Sequence, residues 1–403
     1  MPTATRGAAG LILLGALLAQ APLAAAHVPS EPSYTGPVGE PVGEPPTAKS
    51  WTEVVQQVIR TAPESSMLRA TALADQSKQV MRCFKLETEN YCLGLGFVDQ
   101  LPSGAQLSEM SAAPNVAADS VGGEEAASEP DIATGALTPA QFVTQRSSLS
   151  DSVRLNAELE EMQAAWDGRD KARALRELDA PASTSEQVVP EQTPVPERST
   201  PTTPVSPDPS KPPASVPAVK LPSSSYIMNG FQTSQDKGYW CGPATFQSID
   251  WADDKQKDTQ ASWAKDLGAT TSGTAISAMV KQTNLKTNWD LAAGSYIVQN
   301  VGHWNTQKFL AVHQSHLGDG KPAPVIEHVQ LLKRYFPYLA FNHSGHYQVG
   351  RGYDAKKGTI GIFEVFNERR FNSRGNVTDG PKNIPASALF NATLANSFKN
   401  IGL

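Results

Sequence analysis

Apolar residues recur along this chain in two rhythms, and the change from one to the other sketches its elements. Trp51, Val54, Val55, Val58 and Ile59 have the spacing of one helix face, and Ser50 with Glu53 has the form of the capping box that opens such a helix. Thr138-Pro139 is a second helix start, after which Leu155, Leu159, Met162 and Trp166 mark an amphipathic face running towards Leu178. Four more helical patterns follow: from Pro243 to Trp251, near Thr259 to Leu267, from about Thr274 to Thr283 with Ile276, Met279 and Val280 on one side, and around Trp304 to Leu317. The rhythm then turns to that of strands. Ala323 to Val329 forms one, and His346–Tyr353 and Thr359–Asn367 flank Asp354-Ala-Lys-Lys-Gly358, a hairpin turn by composition.

The intervening stretches divide the chain. Residues 1–26 join Arg6, an apolar run from Leu11 to Leu18 and Ala24-Ala25-Ala26, the layout of a secretory signal peptide. The mature protein is then expected to begin near His27, with a Pro-rich disordered segment over 27–47 and a small helical module over 48–100. Residues 101–137 contain no Lys or Arg before Gln145 and gather Glu and Asp among Ala, Ser and Gly, which predicts disorder. A helical region follows over 138–179, and 180–222 holds 12 of the chain's 31 prolines, the composition of a semi-rigid linker. Residues 223–403 suffice for one core, and helices followed by strands predict an α+β body.

Composition narrows the function. A net charge of −6 with 18% charged residues argues against nucleic-acid binding through a basic surface. After the N-terminal run, nothing in the sequence approaches the roughly 20 apolar residues of a membrane span, so no membrane anchor is expected after signal cleavage. The protein is expected to be a monomer, secreted, and extracellular or associated with the cell wall. In an oxidising compartment Cys83 and Cys92 most simply pair, which leaves Cys241 as an unpaired and therefore candidate reactive thiol.

Cys241 stands in Tyr-Trp-Cys-Gly-Pro-Ala-Thr (Tyr239 to Thr245). Pro243 suits a first helical position, so the sulfur is expected just before a helix N-terminus, whose dipole favours a thiolate. Gly242 fits a tight turn there. Six histidines follow, and of these His346 opens a clear strand. Pairing Tyr353 with Thr359 sets His346 opposite Phe366 and beside Asn367, so the hairpin delivers an amide that orients an imidazole base. Glu368 is the alternative orienter if the register slips by one residue.

These residues resemble papain-like cysteine peptidases of the bacteriocin-processing, double-glycine type, in the secreted actinobacterial branch. The resemblance covers roughly 223–403. It rests on Gln235 six positions before Cys241, the Cys-Gly-Pro-Ala run, Gly345-His346-Tyr347 leading to Gly352-Tyr353-Asp354, and the strand ending at Asn367. It implies a papain-like fold with a helical half and an antiparallel sheet. It also implies that Cys241 is the nucleophile, His346 the general base and acid, Asn367 the orienter, and Gln235 an oxyanion donor together with the Cys241 backbone N–H. Many relatives carry Asp where Asn367 stands, and cleavage after a double glycine does not follow from the resemblance.

The expected reaction is peptide-bond hydrolysis through a thioester, without cofactor, on a peptide or protein substrate. Cell-wall components are a further partner class. His313 and His316, or His343 and His346, share spacings that metal ligands use, but no Cys or carboxylate is spaced to complete a zinc set, so no metal is expected. A cell-wall amidase or acyltransferase using the same Cys and His, and a non-catalytic binding module, are the alternatives. The exposed joint in the Pro-rich linker also suggests a propeptide role for residues 27–222, blocking the cleft until cleaved there.

Overall fold

The computed structural model describes residues 45–112, 134–178 and 221–403. The expected signal peptide and nearly all of the Pro-rich linker lie outside them. The N-terminal part forms β1 (Thr47–Ala48), α1 (Trp51–Thr61), α2 (Ser65–Ala70), α3 (Leu73–Val80), β2 (Cys83–Leu86), β3 (Glu89–Cys92), β4 (Gly96–Val98) and α4 (Gly104–Ala112). Two helices follow, α5 (Pro139–Ser148) and α6 (Asp151–Glu177). The C-terminal part opens with β5 (Ser224–Tyr226), α7 (Cys241–Asp254), α8 (Gln260–Asp266), α9 (Ile276–Lys286) and α10 (Trp289–Ala293). After β6 (Val298–Asn300) and α11 (Thr306–Gly318) come β7 (Val325–Gln330), β8 (Gly345–Asp354) and β9 (Thr359–Glu364). The chain closes with α12 (Glu368–Phe371), β10 (Gly380–Pro385), α13 (Ala386–Ala395) and β11 (Asn400–Gly402). The architecture is mixed α/β.

Helix starts follow local chemistry. The Ser50 hydroxyl accepts from the Glu53 N–H to open α1, and Thr138 with Gln141 makes a full reciprocal capping box at α5, with Pro139 in its first turn. The Thr259 and Asn305 side chains accept from the Ser262 and Lys308 N–H groups to cap α8 and α11. The face of α6 departs from the apolar stripe expected of it. Met162 is buried, but so are Arg154, Glu158 and Glu161, while Leu155, Leu159 and Trp166 are only partly covered. Arg82 pairs with Glu158 at 2.7 Å and Arg146 with Glu161 at 2.9 Å, so this helix packs through ion pairs as well as hydrocarbon.

Among the described residues eleven strands join one sheet, in the order β1-β2-β3-β4-β6-β11-β7-β8-β9-β10, with β5 paired to the far end of β8. The expected helical module at 48–100 is therefore corrected: it holds three strands besides its helices, and they extend the sheet of the C-terminal part. Its strand runs are three or four residues long, too short for alternation to announce them. Cys83 faces Cys92 across the β2–β3 pair and the two form a disulfide. The disorder expected over 101–137 is corrected at both ends, by α4 and by a buried stretch at Thr134–Leu137.

The N-terminal and C-terminal parts are joined through the sheet and through buried side chains. Phe97 of β4 pairs in parallel with Gln299 of β6, and the buried Asn400 donates to the carbonyls of Gly94 and Leu95 at 3.2 and 3.1 Å while its Oδ1 meets His328 Nδ1 at 2.8 Å. Core side chains cover both sheet faces. Tyr347, Val349, Phe363 and Val365 pack with Cys241, Ala244, Phe246 and Ile249, and Ile360, Ile362 and Phe366 with Phe309, Leu389 and Phe390. No helix among the described residues is long and apolar enough to cross a membrane.

Asn400→Ala should lower the unfolding free energy by about 3 kcal/mol, because each orphaned buried group costs about 1–3 kcal/mol. Urea denaturation of the two proteins measures this.

Candidate functional site

Cys241 begins α7, two positions earlier than Pro243 suggested, with Trp240 as N-cap. Its sulfur is thus at the positive end of a 14-residue helix. A Cβ on Gly242 would collide with the Thr274 side chain, so only glycine lets the turn approach the loop before α9 so closely. The Thr245 hydroxyl, one helical turn on, donates to the Tyr347 carbonyl at 3.2 Å and ties α7 to β8. The Tyr347 N–H lies near enough to the sulfur to favour its thiolate, which places the thiol beside the residue that follows His346. Cys241 is fully covered, and burial pushes its thiol well above the ordinary value, opposed by the backbone donors of Tyr347 and Gly242. In this conformation burial favours the neutral thiol.

His346 is likewise buried. Its Nε2 meets Glu364 Oε1 at 2.7 Å, and its Nδ1 has no hydrogen-bond partner. The Glu364 carboxylate also accepts from the Phe366 N–H at 2.8 Å, the Tyr338 hydroxyl at 2.8 Å and the Gln348 amide at 2.7 Å. Burial pushes its carboxyl up, but the neighbouring His346 and these donors outweigh burial and hold it below the ordinary value.

Asn367 is not on the imidazole: its amide donates to Asp379 at 2.9 Å. The expectation that Asn367 orients His346 is corrected by parity. The hairpin turn pairs Asp354 with Thr359, and a bulge between Gly350 and Gly352 restores the expected register at Val349↔Phe363. Alternate residues of a strand share a face, so in that register His346 shares one with 364 and 366, and Asn367 points the other way. Glu368 has the right parity, but it has entered α12. There its carboxylate takes His343 Nε2 at 2.7 Å and the N–H groups of Ala340, Phe341 and Asn376, clamping the loop before β8. Glu364 was visible in the sequence as the one carboxylate in an otherwise apolar strand.

The remaining histidines are accounted for structurally where they are buried. His313 Nε2 is paired with Glu327 at 2.8 Å, and burial drives His316 down to about 3 and His328 to about 4, so both are uncharged at neutral pH. Trp304 is a core residue, and Trp240, the N-cap before Cys241, is partly exposed.

Gln235 reaches the same place from the other side. Its backbone N–H donates to the Val365 carbonyl at 2.7 Å, and its buried amide nitrogen donates to the carbonyls of Lys237 at 2.9 Å and Gly238 at 2.5 Å. That amide nitrogen also lies 3.5 Å from the Thr134 carbonyl oxygen, which accepts the Cys241 N–H at 3.1 Å. Two donors that the sequence nominated for one oxygen thus converge on one oxygen, and it belongs to this chain. The Thr134 N–H and hydroxyl bond Ser344 and the Gly345 carbonyl, and Ala136 pairs in parallel with Thr274. Nothing in the sequence marked this stretch, which carries small residues and no charge.

Glu364→Gln should lower stability at neutral pH by about 2 kcal/mol, as expected when bonds to a charged acceptor become bonds to a neutral one. Because the folded carboxyl lies below its ordinary 4.5, its contribution is present above that value and lost as pH falls through the lower folded one. Melting curves of both proteins from neutral to acid pH should therefore converge at the acid end.

Residues 227–374 match the model of the Peptidase_C39 like family, a span short of half the chain that contains Gln235, Cys241, His346 and Glu364. No curated protein matches the chain. The C-terminal part is thus similar to a family of cysteine peptidases.

Proposed function

We propose that the protein is a cysteine peptidase in which Cys241 is the nucleophile, His346 the general base and acid, and Glu364 the group that orients the imidazole. One observation carries this reading: at the residue before the one beside the sulfur stands an imidazole held through Nε2 by a buried carboxylate, with Nδ1 uncommitted. Its ring lies on the β8 face of Glu364 and Phe366, opposite the Tyr347 face that packs on Cys241, so transfer of the thiol proton requires the start of β8 to rearrange. A base so held keeps one tautomer, which proton transfer from a thiol and to a leaving amine requires. The Cys241 N–H and the Gln235 amide supply the oxyanion donors, since both address a single carbonyl oxygen. The thiol attacks the substrate carbonyl, the amine leaves with a proton from His346, and water releases the acid from the thioester. The similarity of 227–374 to the Peptidase_C39 like family supports the same chemistry.

The Cys83–Cys92 disulfide, a bond that persists where conditions are oxidising, supports an extracytoplasmic reading. A secreted or wall-associated peptidase fits that bond and the N-terminal apolar run of the sequence.

The test is hydrolysis of a peptide library, read by mass spectrometry. Because Cys241 and His346 are both covered, it is run on the wild type and on Gly135→Val, in which a side chain cannot fit beneath the Tyr239 carbonyl. In whichever background cleaves, Cys241→Ser and His346→Ala should each cost at least about 100-fold. Glu364→Gln should cost about tenfold or more, and Asn367→Ala less than about threefold. Absence of cleavage in both backgrounds sinks the reading, and a larger loss in Asn367→Ala than in Glu364→Gln sinks the assignment of Glu364.

A further inference from the structure

We propose that Thr134–Leu137 is a built-in inhibitory segment, bound along the candidate site with the Thr134 carbonyl in the position that a substrate oxyanion would take. The proposal rests on Cys241 being the nucleophile, and it places the block in the segment before α5.

The segment is bound along its length by site residues. The Thr134 oxygen faces the Cys241 N–H at 3.1 Å and the Gln235 amide nitrogen at 3.5 Å. Its N–H donates to the Ser344 hydroxyl at 3.0 Å, and its own hydroxyl donates to the carbonyl of Gly345, the residue before His346, at 2.6 Å. The Ala136 N–H donates to that same carbonyl at 3.2 Å. On the other side the Thr274 N–H donates to the Gly135 carbonyl at 2.9 Å, and the Leu137 N–H to the Thr274 carbonyl at 3.3 Å.

Close approach depends on glycine. Gly135 has φ +112°, and a Cβ there would collide with the Tyr239 carbonyl; a Cβ on Gly273 would collide with the Gly135 carbonyl. These are contacts of backbone on backbone, which no side-chain rotation relieves. Downstream, Leu137 is buried with Phe142 and Phe398, and the Thr138 capping box fixes the start of α5, so the segment is anchored on that side.

The consequence is a site without an opening at the reacting atoms. Thr134, Cys241 and His346 are each fully covered. A substrate carbonyl cannot reach the Cys241 N–H while Thr134 holds it, so turnover requires the segment to leave. The sulfur, relieved of burial, then becomes ionisable.

Cys241 is the one cysteine outside a disulfide, so alkylation by iodoacetamide reads its exposure without ambiguity. Full-length Gly135→Val should be alkylated about 10- to 1000-fold faster than the wild type, the factor expected when the wild type opens in only about 0.1–10% of molecules. If Gly135→Val does not fold, judged by its melting transition, Thr134→Val removes the bond to Gly345 and should raise the rate less but in the same direction. A synthetic peptide spanning Asp131 to Pro139 should slow alkylation of the opened variant again, and the same peptide with Val in place of Gly135 should not. Equal alkylation rates in wild type and folded variants overturn the proposal. So does cleavage of the Thr134–Gly135 bond in the wild type but not in Cys241→Ser, because the segment is then a substrate. Faster alkylation of the variant without peptide hydrolysis in any background leaves the segment as a cover and defeats the peptidase reading instead.

Discussion

The buried Glu364 carboxylate is the constraint around which the site is built. A carboxylate removed from water is tolerated only when its oxygens are fully bonded, and here four donors meet it: the His346 ring, the Phe366 N–H, the Tyr338 hydroxyl and the Gln348 amide. Each donor belongs to a different structural need. Gln348 and His346 share a face of β8, Phe366 marks where the chain leaves the ladder after β9, and Tyr338 belongs to the loop between β7 and β8. Satisfying one oxygen pair therefore fixes the end of the hairpin, the course of that loop and the direction of the imidazole together. The second buried carboxylate, Glu368, repeats the device on His343 and three backbone N–H groups. Between them the two glutamates hold the backbone on both sides of the residues facing Cys241.

The sheet gives that site its wider setting. With β4 paired to β6 and Asn400 bonded to the Gly94 and Leu95 carbonyls, the N-terminal strands belong to the same sheet as β8. The N-terminal part is therefore built into the body that carries the thiol, and the segment that leads from it into α5 passes directly over Cys241. The ion pairs of α6 with Arg82 and Arg146 tie the N-terminal elements to one another, and Glu160 of the same helix pairs with Lys281 of α9 at 2.7 Å. One continuous framework thus carries both the candidate reactive residues and the segment that covers them, which is why the chain can be read as a peptidase and as latent at once.

Much of the C-terminal part was legible in the chain. The helix carrying Cys241, the helices near Thr259, Ile276 and Thr306, the β7 strand and the β8–β9 hairpin all announce themselves through spacing, caps and turn residues, because those signals act over fewer than ten residues. The pairing of Cys83 with Cys92 was also legible, from their separation and the absence of any other partner for either. The mistakes share a cause. Asn367 looked like the orienter because the register was extended past the place where β9 ends, and parity was lost by one residue. The strands at 83–98 were hidden because three- and four-residue runs have no measurable period, and Thr134–Leu137 was hidden because its burial is supplied wholly by distant partners.

The amino-acid order alone settled which residue types can do chemistry here and which local elements present them: a thiol at a helix start, an imidazole at a strand start, an amide six positions before the thiol. Folding decided which groups those residues touch. Glu364 rather than Asn367 reaches His346 because of where the β8–β9 ladder stops, and the Thr134 carbonyl fills the place between Cys241 and Gln235, about a hundred positions on, because of where a distant loop returns; no nearest-neighbour pattern carries that information.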